Sequence, residues 1–283
     1  VTGQLDGPRV GFVGLGDQGA PIARRIVDAG LPTTLWARRA ASLEPFASEP
    51  AAIAQSLVEL GRTSEVIGVC VVNDADVRSV LLGPEGVVAG MAPGGVIAIH
   101  STVHPDTCQE VAAAAAARRV SVIDAPVSGG GAAAAAGRLL VLVGGADDVV
   151  ARARPVLSTF GDPVVHLGPL GSGLLAKLIN NALMTAQLGL ADDALRVGGS
   201  LGLDAAALGQ ALAHGSGGSF SLGIRSRMPD GLGQFGAGGL LRKDVDILAA
   251  VADGHASDLG ALGDAAQAVL TRLGFPAGSY RSA

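Results

Sequence analysis

The chain has 283 residues, with 20 basic and 25 acidic side chains and a formal charge of −5. Hydrophobic residues make up 49% and charged ones only 16%, which excludes a disordered polyelectrolyte and argues against a nucleic-acid backbone as the main partner. Two cysteines, Cys70 and Cys108, are too few for a disulfide framework.

The first half alternates short β-rich runs with helical stretches. The runs lie at residues 9–13, 33–36, 66–72, 95–99, 120–124 and 139–143, with helical composition at 20–29 and 107–119. This rhythm predicts an α/β fold, a doubly wound and mostly parallel sheet of Rossmann type covered on both faces. From about Gly173 onward the β-branched runs stop, and helical patterns follow at 174–197, 204–212, 240–252 and 258–273. The alanine runs at 112–117 and 132–136 read as helix. The change near residues 169–173 sets the expected boundary between an α/β domain, 1–170, and an all-α domain, 171–283. Apolar stretches such as 87–99 fall short of the roughly 18 residues of a membrane span. Residues 1–6 carry no basic-then-apolar leader pattern, so the expectation is a cytoplasmic protein without membrane contact.

Gly14, Gly16 and Gly19 form a G-x-G-x-x-G turn directly after an apolar strand and before a helix. The glycines suit a tight turn, backbone approach to a pyrophosphate and close helix–strand packing. The helix N-terminus then presents N–H groups and a positive dipole end to the phosphates. The turn Gly14-Leu15-Gly16-Asp17-Gln18 is therefore the candidate dinucleotide site. At the end of the second strand an NAD site usually carries an acid for the ribose 2′-hydroxyl. Here the sequence is Trp36-Ala37-Arg38-Arg39. Two guanidinium forks suit a 2′-phosphate, so NADP is expected in preference to NAD.

Hydride transfer also needs a proton donor and acceptor. The Tyr-x-x-x-Lys pair of short-chain dehydrogenases is not expected here, since the sole tyrosine of the sequence, Tyr280, is followed by no lysine in it. Lysine occurs only at Lys177 and Lys243. Lys177 lies in the apolar run that opens Gly171-Ser172-Gly173, with Asn181 four residues on and therefore on the same helix face. A lysine desolvated in an apolar cleft is drawn toward the range useful for proton transfer near neutral pH. Asp124-Ala125-Pro126-Val127-Ser128-Gly129-Gly130-Gly131 follows a strand and reads as a glycine-rich loop whose N–H groups suit a substrate carboxylate. His100, His104, His166, His214 and His255 show no metal-ligand spacing, so no catalytic metal is expected. Cys70 reads as a buried packing residue, and Asp244 and Asp246 as helix-surface partners of Lys243.

Taken in order, these motifs, together with Ser101-Thr102-Val103-His104-Pro105 and Lys243-Asp244-Val245, resemble the β-hydroxyacid dehydrogenases. That family includes 3-hydroxyisobutyrate dehydrogenase, tartronate semialdehyde reductase and, more distantly, 6-phosphogluconate dehydrogenase. The resemblance covers nearly the whole chain. It implies a Rossmann domain, a long interdomain helix, and a helical domain used in dimer or tetramer contacts. It implies Lys177 as acid/base with Asn181 beside it, and Ser128, Gly129 and Gly130 as binders of the carboxylate of a small 3-hydroxy acid. It also implies Thr102 near the nicotinamide, the Val72-Asn73 loop passing the cofactor, and Lys243 reaching the cofactor. Gln18, Asn73 and Ile99 depart from the family's usual methionine, proline and acidic residue. Imine reductases resemble the family in fold but usually carry Asp or Tyr where Lys177 lies. A silent dinucleotide-binding oligomerisation module, the other alternative, has no need of Lys177 and Asn181.

Overall fold

A computed structural model describes residues 7–228 and 230–278, with Gln234 described by its backbone alone. Residues 1–6 and Tyr280, both used above, lie outside the described residues. The chain divides into two compact units, the first ending at Lys177 and the second beginning at Leu178.

In the first unit, β1 (Val10–Val13), β2 (Thr33–Trp36), β3 (Ala51–Ile53), β4 (Val66–Val69), β5 (Val96–Ile99) and β6 (Ser121–Asp124) form parallel neighbours. Their order is β3-β2-β1-β4-β5-β6. The connections carry α1 (Gly19–Asp28), α2 (Leu57–Thr63), α3 (Asp74–Leu81), α4 (Val87–Gly90) and α5 (Pro105–Ala116). Beyond β6 come β7 (Val127–Ser128), α6 (Gly130–Ala135), β8 (Leu139–Gly144), α7 (Asp147–Leu157) and β9 (Gly161–Gly168). β6 and β7 pair in turn with β8, both antiparallel, and β9 pairs with β8 in parallel.

Strand side chains alternate between two cores, as a pleated backbone with period two requires. Phe12, Val66, Val96 and Ala98 pack with Ile22 and Ile26 of α1 and Val150 and Ala153 of α7. Val13, Ile67, Val69, Ile97 and Ile99 pack with Leu60, Val77, Leu81 and Val111 of the helices on the other side. Burial on both faces explains the unbroken apolar runs of β1, β4 and β5. The doubly wound, mostly parallel sheet expected from the sequence is present.

Several local readings need correction. The run at 66–72 ends as a strand at Val69. Just beyond it, the Val71 N–H is taken by the Ser101 hydroxyl at 2.8 Å, not by a neighbouring strand. The glycine-rich stretch after β6 is not simply a loop: Val127–Ser128 form β7, and α6 begins at Gly130. Gly129, at φ 130°, makes the strand-to-helix turn that a side chain would strain. β3 and β9 were also unexpected. β9 contains Pro163, which an edge strand tolerates because no ladder N–H is needed there.

Among its described residues the second unit contains helices and no strand. The 29-residue α8 (Ser172–Ser200), about 43 Å long, starts in the first unit and supplies this one. It is followed by α9 (Ala205–His214), α10 (Phe220–Arg225), α11 (Gly238–Gly254) and α12 (Gly260–Arg272). Leu178, Ala182 and Ala186, spaced by one turn, pack against Leu241, Val245 and Leu248 of α11 and Ala266 and Leu270 of α12. No described helix is long and apolar enough to cross a membrane.

Candidate functional site

Parallel strands put all their carboxyl ends on one edge of the sheet. Gly14–Gln18 follow β1, Ala37–Arg39 follow β2, Cys70–Asn73 follow β4, and His100–Thr102 follow β5. Strand order reverses between β1 and β4, the place where doubly wound sheets open a crevice. A cleft of about 220 Å³ lies there. Among the expected cofactor residues, Gly14, Leu15, Gly16, Arg38, Arg39 and Val72 line it. Asp17, Gln18, Asn73 and Thr102 do not form its wall. Asn73 instead caps α3, its side-chain oxygen accepting the Asp76 N–H at 2.8 Å. Ser42, Cys70 and Asp76 line the cleft as well. Cys70 is half-buried at the wall, where the sequence suggested a buried strand residue, and desolvation pushes its thiol up to about 12.

The residues present fit a dinucleotide. A Cβ on Gly14, at φ 95°, would strike the Cys70 carbonyl, and one on Gly19 would strike the Gly14 carbonyl. Those two glycines are demanded by the protein's own packing. Gly16 differs: an added Cβ there meets no described atom within 4 Å. Three residues on, α1 starts with no side-chain cap and no acid in its first turn, which suits a pyrophosphate. Gln18 Nε2 is buried with no hydrogen-bond partner among the described residues, a donor left over in the same turn.

The last parallel strand holds the start of α8. Asp124, fully buried at the end of β6, accepts the Gly171 N–H at 2.6 Å and the Leu174 N–H at 2.7 Å. Burial pushes its carboxyl up, and these N–H groups pull it partly back. Lys177 follows one turn after Leu174 and is only 8% exposed. Ser128, four residues after Asp124, is half-buried, and Gly129 and Gly130 are exposed. His100 is a packing group: its Nδ1–H donates to the Ala125 carbonyl at 2.8 Å, and its ring stacks on Phe12 and meets Phe160 edge-on. Desolvation pushes it down to about 4, so the ring is neutral at ordinary pH. Among the described residues, no three His, Cys, Asp or Glu side chains gather as a metal-ligand set.

In the second unit Asn181 is 7% exposed and donates from Nδ2 to Asp244 Oδ2 at 2.6 Å. Its Oδ1 accepts from Asn180 Nδ2 at 3.1 Å. Lys243 Nζ lies 3.2 Å from Asp244 Oδ1, with both side chains buried. The surface reading of Lys243 and Asp244 is therefore wrong, because this stretch of α11 lies within the helical unit's packing. Arg242 is buried as well, donating to Gln267 at 2.6 Å and pairing with Asp246. Asp244 is a residue the sequence reading placed on the surface; the Lys-Asp dipeptide was its only signal.

A cleft of this make-up at the reversal point of a doubly wound sheet belongs to a dinucleotide-dependent oxidoreductase. Residues 9–168 match the NAD binding domain of 6-phosphogluconate dehydrogenase, and residues 171–274 match the NAD-binding family of NADP-dependent 3-hydroxyisobutyrate dehydrogenase. The chain belongs to this family, the β-hydroxyacid dehydrogenases. An uncharacterized oxidoreductase of Mycobacterium tuberculosis is 32% identical over 214 residues, 76% of this chain and 72% of that one. The 3-hydroxyisobutyrate dehydrogenase of Pseudomonas aeruginosa is 33% identical over 220 residues, 78% of this chain and 74% of that one. The crystal structure of 3-hydroxyisobutyrate dehydrogenase from Salmonella typhimurium superposes with a TM-score of 0.82 at 28% identity, covering 95% of each chain.

Proposed function

We propose that the protein transfers hydride reversibly between NADP(H), in preference to NAD(H), and the carbinol carbon of a small 3-hydroxy acid of the 3-hydroxyisobutyrate type. The bound nicotinamide accepts or supplies the hydride. Lys177 takes the hydroxyl proton during oxidation and returns it to the developing alkoxide during reduction. Asn181 has one Nδ2–H committed to Asp244, which leaves the second for a substrate or lysine contact. Ser128 and the N–H groups of Gly129 and Gly130 hold the substrate carboxylate and so fix which carbon reacts. Arg38 and Arg39 take the 2′-phosphate, with the Ser42 hydroxyl beside them at the cleft wall. Thr102 and the Val72-Asn73 segment border the cofactor from the ends of β5 and β4, and the Lys243 ammonium serves the same site.

The observation that carries this reading is the burial of Lys177 on α8, one turn after a start fixed by Asp124 at the sheet's carboxyl edge. Lys177→Ala is expected to lower kcat by about 10²–10⁴ while NADPH binding persists. Undiminished turnover of the true substrate would overturn the assignment. Steady-state comparison of the two cofactors checks the other half, and equal or better kcat/KM with NADH refutes the preference. The helical half, residues 171–283, serves self-association as a homodimer or homotetramer. Supporting this is an exposed apolar stripe on α8, Ile179, Leu183, Leu190 and Val197. A monomer in sedimentation would refute it.

A further inference from the structure

The end of β2 carries no acid, yet a carboxylate does reach the cleft. Asp76 lines it together with Arg38 and Arg39, coming from the first turn of α3, after β4 and thus on the other side of β1 from β2. Its placement is fixed. Asn73 caps the turn through the Asp76 N–H at 2.8 Å. Two residues before Asp76, Asp74 accepts the His104 N–H at 2.9 Å and the Thr107 hydroxyl at 2.6 Å, which ties the start of α3 to α5. Asp76 Oδ1 stands 3.5 Å from Arg38 Nη1. The Arg38 side chain is 80% exposed and that of Asp76 only 24%, so the carboxylate is the better anchored partner. Two guanidinium groups and one carboxylate thus share the cleft that would discriminate between a ribose hydroxyl and a ribose phosphate.

We propose that Asp76 is a specificity-determining residue that restrains the pull of Arg38 on a 2′-phosphate and offers an acceptor to an unphosphorylated ribose, so that NAD(H) is admitted beside NADP(H). The proposal rests on the dinucleotide reading given above. A phosphate monoester carries about −1.5 to −2 charge at neutral pH, so it competes with Asp76 for Arg38 and meets the carboxylate as a like charge. A ribose hydroxyl is a donor, and a carboxylate accepts from it.

The test is fluorescence titration of the purified protein with NADPH and with NADH, alongside kcat and KM for each. Asp76→Asn keeps the backbone N–H that Asn73 accepts. It is expected to tighten NADPH and weaken NADH, shifting the ratio of Kd values by about tenfold. In an Arg38→Gln background the same substitution should shift the ratio less, because only the direct effect of the carboxylate on the ribose or its phosphate remains. An unchanged ratio, or equal weakening of both cofactors, overturns the proposal while leaving the dinucleotide reading intact. Wild-type protein that binds neither cofactor overturns both.

Discussion

Two buried aspartates engage α8, one within each unit, and they act on different parts of it. Asp124 accepts the backbone N–H groups of Gly171 and Leu174, while Asp244 accepts the Asn181 carboxamide and stands 3.2 Å from the Lys243 ammonium. The first contact answers to the helix start itself, whose free N–H groups and positive dipole end attract a carboxylate whatever side chains follow. The second depends on the identity of each side chain. Asp124 therefore organises a helix start, and Asp244 gathers a carboxamide of α8 and an ammonium of α11.

Replacing each aspartate in turn shows how unequal they are. Asp244→Ala strips a buried ammonium and a buried amide of their shared partner and is expected to cost about 3–5 kcal/mol in urea unfolding. Asp124→Ala leaves the Gly171 and Leu174 N–H groups without their acceptor but removes a carboxylate that burial already disfavours. About 2 kcal/mol is expected there. Equal losses would erase the distinction.

Acid separates the units next. His100 ionises in the unfolded chain near 6.5 but in the folded protein only at about 4. Between those values the unfolded chain binds more protons, so stability falls as pH drops from 6.5 and the loss is complete near 4. It amounts to about 3 kcal/mol. His100→Phe retains a ring against Phe12 and should flatten this slope, at about 1 kcal/mol for the abandoned Ala125 carbonyl. Unfolding curves from pH 4 to 7 for the wild type and His100→Phe decide it.

Legibility followed the same division. The glycine turn and the Arg38-Arg39 pair are each a contiguous run in sequence, and parallel strands bring both to one edge, so their shared cleft could be anticipated. β3 and β7, with three and two residues, are too short for any periodicity, and β9 is disguised by Gly161, Pro163 and Gly168. The Asp76 carboxylate escaped because the acid was sought at the end of β2, and its entry depends on how α3 leaves β4. Arg242-Lys243-Asp244 escaped because three consecutive charges on a helix read as solvated, whereas here all three side chains are buried. Charges are legible when their position is set by a neighbouring turn, and illegible when it is set by tertiary cover.

The smallest expected effect on stability tests the most legible part. Gly14 and Gly16 are two residues apart in one motif but answer to different demands. Gly14→Ala forces a side chain onto a left-handed backbone and into the Cys70 carbonyl, so it should destabilise the protein by about 1–3 kcal/mol even without cofactor. Gly16→Ala meets no described atom and should change stability by less than about 0.5 kcal/mol. Where the pyrophosphate approaches the backbone at Gly16, the same methyl group should weaken NADPH binding at least about tenfold. A Gly16→Ala protein that melts and binds like wild type would show that the dinucleotide approaches the sheet elsewhere, and the glycine turn would then be explained by packing alone.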